Sequence, residues 1–94
     1  MQRITDKDLE NLVDRINRTL GTPMTYATAN DDGKRTINIG NYHLDSAYGG
    51  VQLVQTVTIG GGVRVIIHGY GTKRELFNKM HAFLEGVRAA ESEA

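Results

Sequence analysis

Val51-Gln52-Leu53-Val54-Gln55-Thr56-Val57-Thr58-Ile59, then Gly60-Gly61-Gly62, then Val63-Arg64-Val65-Ile66-Ile67 is the stretch whose reading decides the fold. Val51, Leu53, Val57 and Ile59 alternate with Gln52, Thr56 and Thr58, and Val63, Val65 and Ile67 alternate with Arg64 and His68. A period of two sends successive side chains to opposite faces of a strand, and β-branched residues suit that pleated surface. The glycine triplet supplies the reversal. The stretch predicts a β-hairpin with one apolar face. The other face carries Gln52, Thr56, Thr58, Arg64 and His68, with Val54 and Ile66 among them.

Upstream, Ser46 to Gly50 reads as a turn and Tyr42-His43-Leu44 as a short extended piece. Met24 to Asn30 is a weak strand rich in Thr, Tyr and Ala. Asn30-Asp31-Asp32-Gly33 is a turn signal, and Lys34 to Ile39 is the return strand, with Ile37 and Ile39 on one face. A helix encloses this region at each end. Thr5 is an N-cap with Asp8 three residues later, and Ile4 and Leu9 take the staple positions. Leu9, Leu12, Val13, Ile16 and Leu20 form one apolar stripe, and Gly21 and Pro23 stop the helix. Thr72-Lys73-Arg74-Glu75 opens the second helix as a capping box. Its stripe is Leu76, Phe77, Met80, Phe83, Leu84 and Val87. The expectation is a single α+β domain over 1–94. A small antiparallel sheet of hairpins, roughly 24–68, lies between helices at about 5–20 and 72–89, with a frayed tail at 90–94.

Ninety-four residues make a thin core. With no cysteine and no zinc-ligand spacing, neither disulfides nor a structural metal can staple it, so self-association is expected to supply buried area. Net charge is zero, from 11 basic and 11 acidic residues. The balance disfavours sequence-independent DNA binding, which needs many phosphate contacts. No apolar run is long enough to span a bilayer and nothing resembles a signal peptide, so a cytoplasmic location is expected.

Gly69-Tyr70-Gly71-Thr72-Lys73-Arg74 is the most informative local feature. A glycine-rich loop entering a helix leaves backbone N–H groups open to an anion. Lys73 and Arg74 in the first turn oppose the helix dipole, by about 0.3–1 kcal/mol each, and an anionic ligand would remove that conflict. The plain alternative is that both side chains point into water or pair with a nearby carboxylate. Asn41-Tyr42-His43-Leu44-Asp45 and Tyr48-Gly49-Gly50 form a second candidate. Amide, phenol and imidazole groups suit base edges and ribose hydroxyls, and tyrosine can stack on a base. The alternative is a tight structural corner in which Asp45 or Asn41 bonds its own backbone and Tyr48 is core. Arg64 and His68 share the polar face of the hairpin, and Arg64 could meet a phosphate. His43 and Asp45 are too few for a metal site. No H-E-x-x-H, G-x-S-x-G or cysteine nucleophile occurs, so no catalytic residue and no cofactor are expected.

Gly40-Asn41-Tyr42-His43-Leu44-Asp45, Ala47-Tyr48-Gly49-Gly50-Val51-Gln52-Leu53, Gly61-Gly62-Val63, Gly71-Thr72-Lys73-Arg74-Glu75-Leu76 and Ala82-Phe83-Leu84-Glu85-Gly86 together resemble a family of short bacteriophage-encoded proteins. Their spacing is similar to that of the phage sponge proteins of the first Thoeris anti-defence family. The resemblance covers residues 40–86 and implies an oligomeric, non-enzymatic protein. Such a protein sequesters a nucleotide immune signal, a cyclic ADP-ribose derivative or a cyclic oligonucleotide, in the cytoplasm of an infected bacterium. The expected ligand-binding set is Asn41, Tyr42, His43, Tyr48, Arg64, His68, Tyr70, Thr72, Lys73 and Arg74. The competing expectation is a phage protein that binds a host protein and no small molecule.

Overall fold

A computed structural model describes residues 3–47, 50–69 and 71–93. Helix α1 spans Asp6–Leu20, strands β1 and β2 span Ala27–Ala29 and Arg35–Ile37, and β3, β4 and β5 span Tyr42–Ala47, Gly50–Thr56 and Val63–Ile67. Helix α2 spans Lys73–Glu93. The α+β class with a helix at each end is as the sequence predicts. The β region divides into two antiparallel sheets, β1-β2 and β3-β4-β5.

Helix α1 begins where the sequence places it. The Thr5 hydroxyl accepts from the Asp8 N–H at 3.2 Å, and the Thr5 N–H donates to Asp8 Oδ2 at 2.9 Å. Gly21 closes the helix at φ 71°, a left-handed backbone that glycine adopts without strain. At α2 the Thr72 hydroxyl accepts from the Glu75 N–H at 3.1 Å. Helix α2 runs to Glu93, past the end near residue 89 expected from the sequence. Residues 89–93 are Ala, Ala, Glu, Ser and Glu, with no Gly or Pro to end a helix.

The core is a two-layer contact between the helices and one face of the three-stranded sheet. Leu9, Leu12, Val13 and Ile16 of α1 meet Leu76, Met80 and Leu84 of α2 over Tyr42 and Leu53, and all are buried. Full burial of each such aliphatic chain stabilises by about 1.5–3 kcal/mol. The helices lie parallel. Asp6 pairs with Lys73 at one end, and successive turns of α1 (Asp8, Leu12, Arg15) face successive turns of α2 (Phe77, His81).

The hairpin of β4 and β5 forms as expected, but its faces do not. The register pairs Leu53 with Ile67 and Val54 with Val65, which leaves Ile66 as an extra residue in a β-bulge. A bulge shifts the alternation by one. Ile66 and Ile67 therefore both pack against the core, while Val63 and Val65 turn outward with 40% and 39% exposure. Val57 and Ile59 lie past the end of β4 in the exposed turn. On the far face, Val54 and Thr56 are buried.

Among the described residues the backbone of the β1-β2 hairpin approaches no other helix or strand. It is an arm held by polar bonds. Asn38 Nδ2 donates to Thr25 O at 3.0 Å and to the Thr28 hydroxyl at 2.9 Å, and Asn30 Nδ2 donates to the Thr36 hydroxyl at 2.8 Å. Its strands are shorter than the sequence suggests, and Ile39 lies beyond β2, exposed.

Candidate functional site

The parallel packing of α1 and α2 brings both helix N-termini to one corner. An open cleft of about 830 Å³ lies there, lined by Arg3, Thr5, Asp6, Thr72, Lys73 and Arg74, with Ile4 at its floor. A second cavity of about 230 Å³ adjoins it through Thr72 and Lys73 and reaches Gly50, Val51 and Gly71. Two stretches far apart in the chain, Gly50-Val51 and the Gly71-Thr72-Lys73 run, thus meet at the start of α2.

At this corner the Asp8 and Glu75 N–H groups are already taken by the Thr5 and Thr72 hydroxyls, which leaves the N–H groups of the first two residues of each helix, and each helix end carries about half a positive charge. Arg3, Lys73 and Arg74 add formal charge of the same sign. Lys73 Nζ reaches Asp6 Oδ1 at 2.9 Å. Both side chains are largely exposed, at 47% and 71%, so water screens the pair and its net worth is at most about 1 kcal/mol. The conflict between Lys73 and the α2 dipole is thus eased by a carboxylate from the neighbouring helix, the plainer of the two readings the sequence allowed.

The glycines of the loop have unequal roles. Gly69 is buried, and a Cβ there would overlap the carbonyl of Val51, so this glycine lets the chain cross the β4 backbone. At Gly71 a Cβ would overlap the Glu75 carboxylate, which folds back over the start of its own helix.

Of the ligand set expected from sequence, the structure brings Thr72, Lys73 and Arg74 to this corner. Asn41, Tyr42 and His43 are elsewhere. Asn41 is 1% exposed, and its Nδ2 donates to Pro23 O at 2.7 Å. Its Oδ1 faces His43 Nδ1 at 3.2 Å, which assigns the ring proton to Nδ1. Tyr42 is a core residue whose ring centroid lies 5.9 Å from that of Phe83, and with Asn41, His43 and Tyr26 it lines an open cavity of about 260 Å³. His43 is half-buried, with the edge of Tyr26 at 5.1 Å. These three thus stay together, at a cavity separate from the corner of the two helix N-termini. Arg64 donates from Nε and Nη2 to Gln55 Oε1 at 3.0 and 2.8 Å, on the core-side register of the sheet. His68 is exposed beyond the end of β5. Tyr48 and Tyr70 lie outside the described residues.

Sequence reasoning missed Arg3, Thr5 and Asp6 as members of the corner, because nothing local says that two helices lie parallel. The available signal was a basic residue within two positions of each capping threonine. It also missed Asn17, which is 1% exposed on α1. The signal there was a polar residue at position 17, four after Val13 and beside the apolar stripe.

Among the described residues no group of three or more His, Asp or Glu could hold a metal ion, and no helix is long and apolar enough to cross a membrane. No known protein family, no curated protein and no solved structure matches this chain.

Proposed function

We propose that the protein binds a small anionic ligand of the nucleotide class at the corner of the two helix N-termini and holds it without chemical change. The observation that carries the reading is the convergence of two parallel helix ends with Arg3, Lys73 and Arg74 on one cleft. Phosphate oxygens accept from first-turn N–H groups, Lys73 supplies a point charge, and Arg3 and Arg74 supply planar donor forks. A volume of about 830 Å³ is within the usual range for small-molecule sites. The acidic group in the cleft, Asp6, is engaged by Lys73 rather than poised as a base. The motif resemblance over residues 40–86 is the ground for naming the ligand as a cyclic ADP-ribose derivative or a cyclic oligonucleotide. On that reading the biological role is sequestration of a nucleotide immune signal in an infected bacterial cell, by a self-associating protein.

Titration with cyclic dinucleotides, cyclic trinucleotides and cyclic ADP-ribose isomers, read by calorimetry and thermal shift, tests this. At least one ligand raises the melting temperature, is recovered intact after denaturation, and is lost with Lys73→Ala combined with Arg74→Ala. Absence of any shift at saturating ligand sinks the reading, and appearance of a cleaved product replaces it with an enzyme. A second reading, binding of a host protein, is favoured by the exposed apolar side chains of Val57, Ile59, Val63 and Val65. Capture of a host protein together with no ligand response would select it.

A further inference from the structure

We infer that the outer edge of β3 takes up an extended, basic segment of a partner protein, which adds to the sheet beside Leu44 and Ser46 and sets its cationic side chains against Glu10, Asp14 and Asp45. The surface lies apart from the corner of the two helix N-termini, and the inference does not rest on the reading of that corner.

Strand β3 pairs with β4 in an unbroken register, from Tyr42 opposite Gln55 to Ala47 opposite Gly50. In an antiparallel strand the N–H and C=O of one residue share a side, and successive residues alternate. The Tyr42 N–H and C=O are both bonded by the Asn17 carboxamide of α1, at 2.9 Å each, so they point away from β4. Leu44 and Ser46 have the same parity. Their N–H and C=O groups therefore face outward too, and among the described residues nothing bonds them. An amide already sits on this edge at Tyr42, and the next two outward-facing residues are open to another. No lysine, arginine, proline or bulge guards the strand, whereas the β5 edge is blunted by the bulge at Ile66. The charge that β3 does carry, Asp45, turns it against acidic strands and toward basic ones.

The surroundings fix the chemistry of the occupant. An open cavity of about 260 Å³ adjoins the edge, with Val13 and Tyr42 buried at its floor and Glu10, Asp14, Tyr26 and Leu44 around it. It is smaller than the roughly 300–1,000 Å³ of small-molecule sites. It suits one long side chain, a methylene stem along Val13 and Tyr42 and a charged head among the carboxylates. A second cavity of about 360 Å³ opens on the other side of Tyr26 and His43, and Asp45 and Val63 line it. Successive side chains of an extended segment point to opposite faces, so two neighbouring residues reach one cavity each.

Glu10 and Asp14 are four apart on α1, a like-charge spacing that is destabilising until a cation lies between them. Lys7 and Arg18 of the same helix do not pair with them. Glu10, Asp14 and Asp45 make no ion pair or hydrogen bond among the described residues. Tyr26, 38% exposed, adds an aromatic ring of the kind that attracts guanidinium groups. A second copy of β3 is the wrong occupant. Two-fold pairing of the strands keeps both α1 helices on one side of the sheet and opposes the carboxylates of the two copies.

A labelled, end-blocked hexapeptide of valine and arginine, with two neighbouring arginines at its centre, tests the inference when titrated against the full chain. Fluorescence anisotropy should show saturable binding that weakens as salt is added. The same peptide with glutamate for arginine should not bind. N-methylation of its central amides removes N–H donors and keeps the charge, and should weaken binding by at least about tenfold. Glu10→Lys combined with Asp14→Lys should cost about tenfold or more, with the far-ultraviolet spectrum and any response to nucleotides retained. Lys73→Ala combined with Arg74→Ala should leave peptide binding unchanged, which separates this surface from the helix corner. Failure of the arginine peptide to bind at about 1 mM, equal binding of the glutamate or N-methylated peptide, or full affinity in the Glu10→Lys, Asp14→Lys protein would each overturn the inference.

Discussion

Asn17 and Tyr42 are joined as though the helix carried a piece of strand. Asn17 Nδ2 donates to the Tyr42 carbonyl at 2.9 Å, and Asn17 Oδ1 accepts from the Tyr42 N–H at 2.9 Å. The same Oδ1 accepts from the Thr22 hydroxyl at 2.6 Å. One buried carboxamide thus satisfies both backbone groups at the start of β3 and ties the end of α1 to the chain that leaves it.

Asn17→Ala strands two buried backbone groups, each costing about 1–3 kcal/mol when left unpaired. We predict a loss of about 3 kcal/mol, read as a lower urea midpoint with an unchanged slope. A loss under about 1 kcal/mol would show that water replaces the amide at no cost.

The Thr56 hydroxyl is buried and has no hydrogen-bond partner in the structure. Thr56→Val keeps the shape and removes the unpaired group. It should stabilise by about 1 kcal/mol, read by chemical denaturation, whereas an Oγ1 that does find a partner makes the same change destabilising.

Two glycines should respond in opposite directions. Gly69→Ala forces a Cβ into the Val51 backbone and should cost more than about 2 kcal/mol. Gly86 lies within α2 with open space at its Cβ position. Gly86→Ala should therefore stabilise by about 0.8–1 kcal/mol through helix propensity alone. Thermal melts of the two variants decide both.

Asp6→Asn removes the carboxylate paired with Lys73 in the cleft. Stability should change by less than about 1 kcal/mol, since the pair is exposed. Affinity for an anionic probe such as pyrophosphate should rise up to about fivefold, reflecting the release of one like-signed neighbour. Calorimetry at low salt reads the change, and an unaltered or weakened affinity would place the anion elsewhere.

The fold was largely legible because its signals are local. Capping threonines, helical stripes and the Gly60-Gly61-Gly62 turn each act within a few residues. The bulge at Ile66 was not legible, because alternation in Val63-Arg64-Val65-Ile66-Ile67 looks regular until a partner strand fixes the register. Half of the candidate corner was readable, the Thr72-Lys73-Arg74 run, because a cation in a first helical turn is a visible misfit. The other half, Arg3 to Asp6, depends on helix direction, which no short stretch encodes. The burial of Tyr42 was hidden for a related reason. A tyrosine beside Asn and His has the chemistry of a base reader, and only the packing of Phe83 against it shows that the ring faces inward.

The extra residue at Ile66 behaves like a frameshift written in three dimensions. Without the bulge, regular alternation of the same five residues would put Val65 on the same side as Ile67, leaving Arg64 and Ile66 outside. Every contact within the helices would survive, yet the molecule would present a different outline to its neighbours. The bulge thus decides which side chains of this strand the molecule shows to its surroundings, a choice no other element of the fold makes for it.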